Sequence, residues 1–254
     1  MTFTFEGFDV FLLILVRITG FVFAAPFFSV PNVPQRVKAG FSMLFALVLF
    51  QVVPATISYS TVIEFGGLIM KEVLVGVLLG FFTNACYYIL NFAGQLVDME
   101  IGFSMVNQLD PVSRVQTTIT ANLYSYIVIL ILLVTNFHHY LITAFVDTYK
   151  LIPLGEANIN PNLYLIMLDY IKNFFIIGFR IVLPVFSSTL IVNTILAILA
   201  KVAPQMNMFV IGIQLKIIVG LVILYLLVRY MPTVSAFIFD EMMRMMKLVI
   251  EAIS

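Results

Sequence analysis

The side chains able to do chemistry are few, and their spacing argues against catalysis. His138 and His139 stand side by side. Two histidines that share a metal on a helix sit three or four positions apart, which brings both to one face. Asp147 is too far along the chain to complete a local site with them, so the expectation is a pair of interfacial histidines. Cys86 is the single cysteine and lies in the apolar run FFTNACYYIL. It makes no internal disulfide and reads as a small buried hydrophobe. GxSxG, HExxH, Walker A and CxxC patterns do not occur, so no enzyme, cofactor or metal site is expected.

What remains is charge set in apolar surroundings. Arg17, Lys71, Glu72, Arg180, Lys201 and Lys216 fall in or beside long apolar runs. A charge at the centre of a membrane helix costs about 2.5–3.5 kcal/mol on insertion scales, so such residues face protein or water rather than lipid. Lys71 and Glu72 are neighbours in sequence and do not face each other on a helix. Each needs another partner, from elsewhere in the chain or from another subunit. Pairing between helices and contact with a transported solute both remain open on these residues alone.

A different kind of polar feature occupies residues 100–118, EIGFSMVNQLDPVSRVQTT. Gly102 permits backbone conformations that other residues resist. Pro111 forbids helix continuation, and Asp110 before it is pushed toward extended geometry. Phe103, Met105, Val106 and Leu109 supply apolar bulk, while Ser104, Asn107 and Gln108 supply uncharged polarity. Irregular backbone is tolerated at membrane depth only where it is buried in protein or lines a cavity. The stretch is therefore expected to line a pore or an assembly lumen. A constriction of flexible, uncharged side chains can close when empty without trapping what passes, and methionine repacks readily against varied surfaces.

The elements that must position these residues are membrane helices. The chain has 254 residues, of which 62% are hydrophobic and 10% charged. Soluble domains carry about 25% charged residues, so the composition predicts an all-α, polytopic membrane protein with broken helices and helical hairpins. Formal net charge is +0, and with no basic surplus nothing points to nucleic acid, so no nucleic-acid partner is expected. The N-terminus MTFTFEGFDV has neither a positive leader region nor a small-residue cleavage site, so no cleaved signal peptide is expected. Apolar segments are expected at 10–30, 40–53, 65–93, 123–146, 174–200 and 208–230, with a polar loop over 94–122. The whole reads as one membrane domain, 1–254. Residues 233–253 form an amphipathic helix: Ile238, Met242, Met245 and Val249 share one side, with Asp240 spaced to pair with Arg244.

Arg36 and Lys38 place the loop after the first segment in the cytoplasm, which sets the N-terminus outside. Strict alternation over six spans would then put Arg244 and Lys247 outside as well, against the charge rule. Either one segment does not cross, or the helices do not sit as ordinary spans.

Three stretches carry a family pattern: RITGFVFAAPFFSVPNVPQRVKAG (17–40), GQLVDMEIGFSMVNQLDPVSRVQTT (94–118) and KVAPQMNMFVIGIQLKIIVGL (201–221). With TNFHHYLI and IPLG as weaker support, the chain resembles the FliR family of flagellar and type III secretion export-gate membrane proteins over about residues 10–230. PQMN and the unbroken DPVS are more similar to the flagellar branch than to the injectisome SctT branch. The chain departs from the pattern at Gly212-Ile213-Gln214, where a Gly-Phe-Pro-like turn is usual, and at Phe137, where glycine often precedes the histidine pair.

The resemblance implies a core subunit of the flagellar export gate in the bacterial inner membrane and flagellar basal body. FliP-like and FliQ-like subunits would build the helical gate with it, FlhB-like and FlhA-like components would adjoin, and unfolded flagellar subunits would be the cargo, with lipid around the assembly. It also implies that Gly102, Phe103, Ser104, Met105, Val106, Asn107, Gln108, Leu109 and Asp110 form a plug in the channel. Gln205, Met206 and Asn207, with the six membrane charges named above, become candidate inter-subunit or entrance contacts. A secondary transporter for a small solute is the competing reading, supported by the membrane charges and broken helices but by no convincing inverted repeat.

Overall fold

The computed structural model describes residues 5–26, 28, 33–53, 57, 59–104, 118–158, 160–161 and 163–254. Every regular element among the described residues is helical: α1 Phe5–Ala24, α2 Gln35–Phe50, α3 Val62–Ile101, α4 Ile119–Val134, α5 Phe137–Leu151, α6 Leu163–Val202, α7 Met208–Leu227, a 3₁₀ turn Val228–Tyr230, and α8 Met231–Ile253. Four helical runs are long and apolar enough to cross a membrane: 7–24, 62–101, 163–202 and 208–253. Counting α4 and α5 as one broken span gives up to five. The chain is an all-α, polytopic membrane protein. At 1.5 Å per residue the 40-residue α3 and α6 are each about 60 Å long, twice a hydrocarbon core of about 30 Å.

Helix ends fall where the sequence chemistry breaks the backbone ladder. Asn136 takes a left-handed conformation (φ 59°) and separates α4 from α5, so residues 123–146 form two helices where one segment was expected. Asparagine tolerates that region better than most residues. Gly102 (φ 96°) ends α3, its N–H donating to the Asp98 carbonyl at 3.1 Å. The polar loop is therefore shorter than 94–122: residues 94–101 complete α3, and 119–122 begin α4. Residues 35–39, expected in a connection, are the first turn of α2.

The chain divides into two compact units. The first comprises the described residues of Met1–Cys86, Thr135–Tyr170 and Phe239–Ser254. Here α1 crosses the first half of α3 backbone to backbone. A Cβ on Gly76 would lie 2.1 Å from the Arg17 carbonyl oxygen, and one on Gly80 would lie 2.8 Å from that of Phe21. Small residues four apart permit this approach between membrane helices. Phe21 stacks on Phe145 of α5 with ring centroids 4.2 Å apart. The amphipathic end of α8 buries Met242, Met245, Met246, Val249 and Ile253. The N–H groups of Asn158 and Asn160 donate to its terminal carbonyls at Ile253 and Ala252.

The second unit comprises the described residues of Tyr87–Val134 and Ile171–Ile238. Its core joins Ala93, Val97 and Ile101 of α3 to Tyr124 of α4, Val182 and Val185 of α6, and Leu224 of α7. Gly94 lets α3 meet α4 directly: a Cβ there would stand 2.2 Å from the Ala121 Cα.

Candidate functional site

The polar stretch is anchored at both ends within the second unit. On the α3 side Ile101 is fully buried, Gly102 makes the left-handed exit, and Phe103 packs partly buried against the core. On the α4 side the first turn is capped from across the loop. The Asp98 carboxylate, 3% exposed, accepts the Thr120 N–H at 3.1 Å through Oδ1 and 3.3 Å through Oδ2. A carboxylate at a helix N-terminus satisfies an orphan donor and meets the positive end of the helix dipole. With Gly94 against Ala121, this holds the two stalks of the loop together. Of the expected plug residues, Gly102, Phe103 and Ser104 are placed here, all half-buried. Met105, Val106, Asn107, Gln108, Leu109 and Asp110 lie outside the described residues.

A cavity of about 310 Å³ opens beside this base, lined by Met99, Glu100, Gly102 and Ser104 on one side and by Met208 and Lys216 on the other. Glu100 accepts a hydrogen bond from the Thr189 hydroxyl at 2.9 Å. Lys216 is half-buried and makes no ion pair among the described residues. The arrangement is a recess of mixed polarity beside the C-terminal end of α3.

The PQMN turn lies between α6 and α7. The Met206 N–H donates to the Ala203 carbonyl at 3.1 Å. Asn207 caps α7, its Oδ1 accepting the Phe209 N–H at 3.2 Å. Gln205 and Met206 are exposed. Lys201 is exposed in the last turn of α6, where a cation meets the negative helix end.

Arg17 and Glu72, expected as inter-subunit or entrance contacts, find each other inside the first unit. Both side chains are fully buried. Arg17 Nε and Nη2 donate to the two carboxylate oxygens of Glu72. Arg17 Nη1 donates to the Ile152 carbonyl at 3.0 Å, and its guanidinium lies 4.5 Å from the Tyr149 ring centre. Glu72 also accepts the Gly155 N–H at 2.8 Å. The planar fork of arginine matches a carboxylate bidentately, and its third nitrogen donates to backbone, so the pair is internal. Lys71 is exposed, with Nζ 3.4 Å from the Gly155 carbonyl. Arg180 is exposed on α6.

The expected Asp240–Arg244 pair is replaced by another. Arg244 donates to both oxygens of Glu241, at 2.9 and 2.7 Å, and to Asp169 at 2.7 Å. Glu241 lies on the buried side of α8 and Asp240 on the exposed side, so the i,i+3 partner wins over the i,i+4 one. The rings of His138 and His139 lie 4.2 Å apart. No cluster of three or more His, Cys, Asp or Glu able to hold a metal occurs among the described residues.

Comparison with known proteins decides the family. The model for bacterial export proteins, family 1, matches residues 8–242. The chain is 31% identical over 220 residues to flagellar biosynthetic protein FliR of Bacillus subtilis, covering 85% of each chain. The chain belongs to the FliR family. It is 29% identical to the Escherichia coli FliR over 88% of this chain and 84% of that one, and 28% identical to the Aquifex aeolicus FliR over 85% and 83%. These flagellar relatives make it a component of the flagellar export apparatus, embedded in the membrane through its apolar helices.

Within this FliR-family fold, sequence reasoning missed Asp98, Gly94 and Asn136 as determinants of the loop and of the helix break. Asp98 falls in the stretch read as a polar loop, where an acid needs no partner; only the extension of α3 to Ile101 buries it. Its partner is a backbone N–H 22 residues away, which no residue type announces.

Proposed function

We propose that the chain is a core subunit of the flagellar type III export gate and forms, with FliP-like and FliQ-like partners, the channel through which unfolded flagellar subunits cross the inner membrane. FlhB-like and FlhA-like components adjoin it in the basal body. The role is passive conduction rather than enzymatic chemistry. In this reading the loop from Gly102 to Asp110 closes the empty channel and moves aside for cargo. The observation that carries it is the anchored loop base. A proline-bearing, charge-poor stretch lies between apolar helices, with its stalks held by the Asp98–Thr120 bond and the Gly94–Ala121 contact. A loop so held can change its tip without displacing the helices that carry it. Its methionine, phenylalanine and amide side chains exclude water and ions when packed and present no fixed charge to a passing chain.

The exposed Gln205, Met206, Lys201 and Lys71, with the half-buried Lys216, are then available to partner subunits or to the channel entrance. The solute-transporter reading loses two of the six membrane charges that supported it, because Arg17 and Glu72 pair with each other and are both fully buried. Deleting residues 103–109 tests the plug. In cells assembling the complex, the deletion should raise ion conductance of the membrane. Unchanged conductance, with the complex assembled normally, contradicts it.

A further inference from the structure

A second cavity, of about 400 Å³, lies within the second unit. Ile177, Ile181 and Pro184 of α6 form one wall; Leu227, Met231 and Val234, around the 3₁₀ break between α7 and α8, form the other. The walls are almost wholly hydrocarbon, and no acidic residue lines them. Arg180 reaches the same cavity. Its guanidinium is exposed and makes no hydrogen bond or ion pair among the described residues. Pro184, four residues on, has no N–H to give the Arg180 carbonyl. One residue therefore offers a planar cationic donor and a carbonyl without its usual helical partner, both at an oily slot in a membrane helix.

We propose that this slot binds an anionic phospholipid, with an acyl chain between α6 and the α7–α8 break and the phosphate on Arg180. Guanidinium groups match phosphate oxygens bidentately, and a cation in a membrane segment requires an anion or water. Chemistry favours lipid: the slot joins an oily lining to one cation and holds no acid to answer it, and a phospholipid supplies an alkyl chain and an anion in one molecule. The inference rests on membrane embedding alone and not on the gate or the plug.

The test uses the full chain, purified with whatever subunits co-assemble, in bilayer discs of phosphatidylcholine with or without phosphatidylglycerol, followed by native mass spectrometry. The expected result is one retained phosphatidylglycerol, preferred about tenfold over phosphatidylcholine. Arg180→Gln abolishes the preference, and Arg180→Lys restores part of it. Val234→Trp, which fills the slot, removes retained lipid altogether. Because Arg180 is exposed, Arg180→Gln leaves thermal unfolding in lipid-free detergent unchanged, which separates lost binding from lost folding. Retention of phosphatidylglycerol by Arg180→Gln at the wild-type level overturns the proposal. So does displacement of the lipid by millimolar inorganic phosphate, or a density map of the complex with a partner's carboxylate on Arg180 and no lipid in the slot.

Discussion

Replacing Glu72 with alanine removes one half of a charge pair that has no access to water. Both side chains are 0% exposed. The change would leave the Arg17 guanidinium with the Ile152 carbonyl and the Tyr149 ring, and no counter-charge. Breaking a buried pair on one side costs about 3–5 kcal/mol. The Gly155 N–H also loses its acceptor; at that half-buried position about 1 kcal/mol is added, the low end for an unmade hydrogen bond. The sum, about 4–6 kcal/mol, is a large part of the stability of an ordinary domain, about 5–15 kcal/mol. The double variant Arg17→Met/Glu72→Leu removes both charges and replaces them with hydrocarbon, which is often near neutral for a buried pair. It leaves only the Gly155 N–H and Ile152 carbonyl unpaired, at about 1–3 kcal/mol. The expected order is wild type, then the double variant, then Glu72→Ala, read as thermal unfolding in detergent and as chain abundance in the membrane. A Glu72→Ala protein that melts with wild type, or a double variant that melts below Glu72→Ala, contradicts this order.

Gly94→Val should force α3 from α4, because the new side chain meets the Ala121 backbone; a loss of about 1–3 kcal/mol or more is expected from overpacking. Gly40→Ala is the control: nothing lies within 4 Å of its Cβ position in α2, so helix propensity alone should leave it neutral or up to about 1 kcal/mol more stable. Both are read by thermal unfolding. Asp98→Ala removes the acceptor for the Thr120 N–H, a cap worth about 0.5–2 kcal/mol. It should speed amide hydrogen exchange across residues 119–122 while leaving α6 protected.

The fold class was open to the sequence because it follows from composition: too little charge to cover a soluble surface leaves membrane helices as the alternative. Local signals went further where the chemistry is local. The Ile238, Met242, Met245 and Val249 stripe, read from its spacing of three and four, is buried. Pairings across the chain were not readable. The need of Glu72 for a partner was evident, but Arg17 stands 55 residues away and Gly155 stands 83, and spacing cannot join them. Spacing also misled at Arg244, where an i,i+4 partner was expected. The outcome turned on which acid faces inward, a property of packing. Asn136 shows a third kind of miss: a single left-handed residue splits the segment read as one over 123–146.

The central claim is that residues 102–110 meet the exported chain. Phe103 is half-buried at the loop base, so a photo-crosslinking amino acid in its place samples the loop with little change of bulk. In cells carrying an export substrate fused to a tightly folded domain that stalls in transit, the account predicts a covalent adduct between position 103 and the stalled substrate. The adduct should be absent when the substrate is not expressed, and absent from the same probe placed at Phe8 of α1. Equal yields at 103 and 8, or no adduct at 103 while the substrate is demonstrably stalled, would contradict it.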